Sequence, residues 1–160
     1  MRVELHLPAE AAPQEPARPV VVDTNVALDL LIFSDPATVP LRALLAERRL
    51  DWIATQVMRD ELERVLAYPH IVSRMDYYQV DAAQVLADFD AQARLVDIAA
   101  PVQYVCKDTD DQKFIDLAAA HRAILLSKDK AVICMRKRLL TLGAHVATAL
   151  VLTQPEVATA

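Results

Sequence analysis

Glycine is almost missing from this chain: Gly143 is the single one in 160 residues. Neither G-x-G-x-x-G nor G-x-x-x-x-G-K-[ST] can be written, which removes the usual dinucleotide and P-loop readings. Cysteine is scarce too. Cys106 and Cys134 form no C-x-x-C pair, and the simple reading is a reduced, cytoplasmic compartment. Four scattered histidines, His6, His70, His121 and His145, offer no zinc spacing. No apolar run reaches the roughly 18 residues a membrane helix needs. Glu4, His6 and Glu10 interrupt any signal-peptide core behind Arg2. Excess positive charge is lacking as well: 17 basic residues stand against 22 acidic ones, a formal net of -5. That argues against wrapping duplex nucleic acid by bulk potential. It leaves room for an enzyme that gathers acids around metal.

What is present is apolar. Hydrophobic residues make up 54% of a length usual for one domain, so a substantial core is expected. Prolines at 8, 13, 16 and 19 mark residues 1–18 as a flexible leader, and 154–160 as a flexible tail, around a folded unit over 19–153. Val3, Leu5 and Leu7 alternate weakly; a loose terminus is favoured there over an edge strand. Strands are expected at 20–22, 50–54, 95–99, 123–126 and 145–147. Helices are expected from near Asn25 to Phe33, over 37–48, over 56–67 behind the N-cap Thr55, over 76–93 and over 130–140, with another after Gln112. In the third of these Val57, Met58, Leu62, Val65 and Leu66 form the apolar stripe; in the 76–93 helix Tyr77, Val80, Val85, Leu86 and Phe89 point inward. Alternation of short strands with helices argues for an α/β fold, a mostly parallel sheet covered on both faces.

Acids collect at the ends of these strands. Val20-Val21-Val22 runs straight into Asp23-Thr24-Asn25, and in an open α/β sheet the carboxyl edge is where ligands bind. Glu61 follows the second strand, Asp111 opens the helix before the fourth, and Asp129 follows the fourth. With the first and fourth strands adjacent, Asp23, Glu61, Asp111 and Asp129 can meet. Carboxylates so close repel when ionised, and a divalent cation relieves the cost. All-oxygen ligation favours Mg²⁺ or Mn²⁺. Asn25, Asp108, Asp110, Ser127 and Lys128 are expected in outer roles, orienting the acids or meeting substrate phosphate. For Asp108 and Asp110 a helix start explains an acid by itself.

These residues resemble a PIN domain, in the branch of VapC-like toxins from toxin–antitoxin pairs. The strand ending in Asp23-Thr24-Asn25 is similar to the family's opening motif. Met58-Arg59-Asp60-Glu61-Leu62 resembles its second acidic motif, Cys106 to Ala118 its third, and Ser127-Lys128-Asp129 its fourth, where the family commonly has Thr-x-Asp. The resemblance implies a three-layer α/β/α sandwich with five mainly parallel strands in the order 3-2-1-4-5. It implies a Mg²⁺- or Mn²⁺-dependent endoribonuclease acting on RNA, with Asp23, Glu61, Asp111 and Asp129 as catalytic and metal-binding acids. A 5′-phosphate and a 3′-hydroxyl are the products it suggests, a homodimer the assembly, and a small antitoxin protein the partner. Two alternatives use the same acids: a metal-dependent phosphatase on small phosphate esters, and a non-catalytic acidic interaction module. The phosphatase reading lacks the Asp-x-Asp-x-Thr of aspartyl phosphatases, and the order of the acids fits a receiver domain poorly.

Overall fold

The computed structural model describes residues 2–11 and 15–154. Among the described residues seven strands run in chain order: β1 (Glu4–Pro8), β2 (Arg18–Val22), β3 (Leu50–Ala54), β4 (Ala93–Leu95), β5 (Ile124–Leu126), β6 (His145–Ala147) and β7 (Ala149–Thr153). Eight α-helices join them: α1 (Thr24–Leu28), α2 (Val39–Ala46), α3 (Gln56–Val65), α4 (Pro69–Tyr78), α5 (Ala82–Gln92), α6 (Gln112–His121), α7 (Lys130–Ile133) and α8 (Arg136–Leu140).

Five strands form one parallel sheet in the order β4-β3-β2-β5-β6. Counted within that sheet, the order is 3-2-1-4-5, with helices on both faces. The reason lies in the residues. Val20, Val21 and Ile124 to Leu126 are almost wholly buried, so both faces of β2 and β5 need cover, as crossover helices provide. The core continues into Trp52 and Phe89, whose rings meet edge to face at 5.1 Å. Strand order reverses between β2 and β5, and there the two strands' carboxyl ends lie side by side, Val22 opposite Leu126.

Several local expectations shift. The helix expected over 76–93 is two helices, because Gln79 takes a left-handed conformation at the end of α4 and Asp81 caps α5 by accepting from the Gln84 N–H at 2.8 Å. Pro69 opens α4 at a position where its missing N–H costs nothing. Tyr77 consequently points to solvent at 82% exposure, and Val57 of α3 is exposed too. The third strand sits at 93–95 rather than 95–99. It is an edge strand, and its short ladder is set by Trp52, Ile53 and Ala54 of β3. The helix over 130–140 breaks at Met135 into α7 and α8. Beyond Leu28 the first helix widens into a π-helical turn over Asp29–Phe33, closed by left-handed Ser34.

The weak alternation of Leu5 and Leu7 is used after all. β1 pairs in parallel with β7, Glu4 to Pro8 opposite Ala149 to Thr153, in a separate two-stranded sheet. One-residue spacing cannot reveal this from the sequence, since the partner strand is some 145 residues away. Of the leader, residues 12–14 lie outside the described residues, as does the tail from 155 on.

Candidate metal centre

Asp23 caps α1, and its Oδ1 accepts the Val26 N–H at 2.9 Å. Its other oxygen accepts the Ser127 hydroxyl. The Asp23 N–H donates to Leu126 O at 3.0 Å, so the β2–β5 ladder continues into the site. Asp23 is 3% exposed, and burial holds its carboxyl above the usual carboxylate range against the pull of those hydrogen bonds.

Ser127 is fully buried and ties the next element to the first. Its Oγ also accepts the Asp129 N–H at 3.1 Å. Asp129 then caps α7, accepting from Ala131 N–H at 2.9 Å. One hydroxyl therefore fixes two acids, from strands adjacent in space and 104 residues apart in sequence.

The third contribution comes from the turn before α6. Asp108 caps a 3₁₀ turn, Thr109–Asp111, accepting the Asp110 N–H at 3.0 Å. Asp108, Asp111 and Asp129 each bring an oxygen within 4.8 Å of the others'. Asp108 is exposed and its two neighbours are half-buried. Burial, then the facing Asp129 carboxyl, then Asp108 and Asp23, push the Asp111 carboxyl up to about 7. Its Oδ2 is buried and has no hydrogen-bond partner among the described residues. An unsatisfied buried carboxylate oxygen beside two further carboxylates is a costly arrangement for a protein alone. A hard divalent cation satisfies it, and the all-oxygen donor set suits Mg²⁺ or Mn²⁺ better than zinc.

Not every expected residue joins this cluster. Glu61, on α3, is half-buried and ion-paired at 2.7 Å with Lys113 of α6. Asn25 is exposed on α1. Asp110 is exposed, and its carbonyl accepts from Lys113. Lys128 is ion-paired with Asp29 of the π-helical turn. Asp108, expected in an outer role, brings its carboxylate into the cluster itself.

Two positioning residues escaped sequence reasoning. Gln112 accepts the Cys106 N–H at 2.6 Å and donates to Tyr104 O at 3.0 Å and to Asp116 Oδ1 at 2.9 Å. Asp116, buried on α6, also accepts the Val102 N–H at 3.1 Å. Together they staple the segment 102–106 to the helix, and so fix the approach to Asp108. The available signal was faint: a polar pair four residues apart on an otherwise apolar helix face.

A model of the PIN domain family matches residues 19–131. The chain belongs to the PIN-domain family. The match spans β2 through Ala131, which takes in Asp23, Glu61, Asp108, Asp111 and Asp129. This PIN domain is also similar to an uncharacterised protein of Methanocaldococcus jannaschii, MJ1680, at 26% identity over 122 residues, 73% of this chain and 74% of that protein. Among the described residues no helix is long and apolar enough to cross a membrane.

Proposed function

We propose that this PIN domain is a divalent-metal-dependent endoribonuclease, the toxin of a toxin–antitoxin pair, working as a homodimer that a small antitoxin protein restrains. The observation that carries the reading is the trio Asp108, Asp111 and Asp129, with the partnerless Asp111 oxygen among them. The resemblance of the motifs to toxin relatives supplies the substrate class and the partner.

Asp108, Asp111 and Asp129 would hold Mg²⁺ or Mn²⁺. A bound ion of this kind makes water a stronger nucleophile at neutral pH and absorbs charge on the phosphate. The protein's part is placement. Ser127 holds Asp23 and the Asp129 backbone in one frame, and the caps on α1 and α7 fix both carboxylates against rotation. Asp23, whose carboxyl burial raises above the usual carboxylate range, accepts the Ser127 hydroxyl and so orients it, and its ionised form adds negative charge behind the cluster. Catalysis here rests on preorganised charge, with little reorganisation needed on reaction. The separate Glu61 carboxylate faces α6 through Lys113.

The decisive experiment is incubation of a mixed RNA pool with the protein in Mg²⁺, Mn²⁺ or EDTA, with DNA and a chromogenic phosphate ester alongside. Cleavage of RNA in Mg²⁺ or Mn²⁺, leaving 5′-phosphate ends, and its loss in EDTA are expected. Turnover of the ester without RNA cleavage would overturn the reading.

A further inference from the structure

The charges around the cluster are unevenly compensated. Glu61 has a lysine of its own. The Lys113 ammonium lies 2.7 Å from Glu61 Oε2, and side chains of both residues are mostly covered, at 23% and 21% exposure. The same ammonium donates to the Asp110 carbonyl and stands 4.9 Å from the centroid of the Phe114 ring. Three anchors thus fix one positive charge against Glu61. By contrast, among the described residues no lysine or arginine forms an ion pair with Asp108, Asp111 or Asp129. Lys128, next in sequence to Asp129, is committed to Asp29.

This partition bears on how many ions the centre holds. A second divalent ion beside the first needs its own carboxylate, and two-metal sites place the ions about 3.5–4 Å apart. Two acids of the expected set, Asp23 and Glu61, are not in the trio; both Asp23 oxygens already accept hydrogen bonds, from the Val26 N–H and the Ser127 hydroxyl, which leaves Glu61. A tethered ammonium on α6 competes with a dissolved cation at high effective concentration. Displacing it would also leave the ammonium without its carboxylate partner in a half-covered position.

Building on the metal-dependent reading above, we propose that Lys113 is a built-in counter-ion that reserves Glu61 and limits the centre to a single divalent ion on Asp108, Asp111 and Asp129. Lys113 is then a positioning residue that sets metal stoichiometry, in place of the second ion.

The test is a Mn²⁺ titration of the full chain, followed by calorimetry and by the electron spin resonance of free Mn²⁺. The wild type is expected to bind one ion. Lys113→Met, which keeps the stem and removes the charge, is expected to bind two. Lys113→Arg is expected to stay at one, Glu61→Gln to stay at one, and the double variant Glu61→Gln/Lys113→Met to return to one. Circular dichroism checks that each variant is folded. One ion in Lys113→Met, or two in the wild type, overturns the proposal while leaving the metal reading intact. Should Lys113→Met not fold, Glu61→Gln decides: loss of the single ion would make Glu61 a ligand of the first site and overturn the proposal. No bound ion in the wild type would overturn the metal reading itself.

Discussion

At the scale of single residues, Ser127 is the smallest group on which most depends. Its hydroxyl meets Asp23 and the Asp129 N–H at once, in a position with no access to water. Ser127→Ala leaves a buried carboxylate oxygen and a backbone N–H without that partner, which costs about 1–3 kcal/mol. Urea denaturation should show that loss, and cleavage should fall at least tenfold while the fold persists. Asp23→Asn keeps the shape and the α1 cap but removes the charge; RNA cleavage is expected to disappear with an unchanged circular dichroism spectrum. The raised Asp111 pKa sets a pH dependence with a definite sign. Below its ordinary value of 3.8 the group is protonated in both folded and unfolded chains. Between that value and about 7 the unfolded chain ionises first, so the stability of the metal-free protein falls as pH rises through this window. Asp23, raised for the same cause, acts in the same direction. A divalent ion needs the ionised form, so the thermal shift produced by Mn²⁺ should grow as pH rises towards 8 and vanish on adding EDTA. At 100 times its dissociation constant such an ion stabilises by about 2.7 kcal/mol.

At the scale of elements, the strand ends and the turn before α6 play different parts. Asp23 and Asp129 are fixed by β2, β5 and their caps. Asp108 depends on a segment with little regular structure, held by Gln112 and Asp116. Asp116→Ala should therefore weaken Mn²⁺ binding several-fold and speed hydrogen exchange at the Val102 and Cys106 amides, whereas Asp116→Asn, which keeps an accepting oxygen, should lie much closer to wild type. This contrast explains what the sequence could reveal. A valine run ending in an acid announces a buried strand and its carboxyl edge, so the place of Asp23 at a strand end was legible in the residues, whereas the strand order came from the family resemblance. Thr55, as an N-cap, was legible for the same local reason. Gln112 and Asp116 were not, because their partners are backbone groups of a segment whose path no periodicity records. Gln79 and Met135 hid their helix breaks, since neither is a residue that demands one. Lys113 carried no signal of its own, because its contact with Glu61 exists only where α3 and α6 bring the two together.

At the scale of the whole molecule, the sheet provides the rigid frame and β1 with β7 adds a separate clasp. Thr148, between β6 and β7, holds that clasp: its Oγ1 accepts the Val3 N–H at 2.9 Å and donates to Val3 O at 2.8 Å, while its own N–H reaches Val3 O at 2.7 Å. Thr148→Val removes both side-chain bonds. A loss of about 1 kcal/mol is expected from bonds of this kind. Amides of β1 should exchange far faster than those of β2 and β5, with Mn²⁺ affinity unchanged, because neither lost bond involves an acid of the trio. Pairing across 145 residues has a further consequence for the chain as it is made. β1 leaves the ribosome some 145 residues ahead of the strand it pairs with. Until β7 emerges, the unpaired edge of β1 stays open to whatever strand comes near, so the nascent protein is most prone to mispairing in that interval.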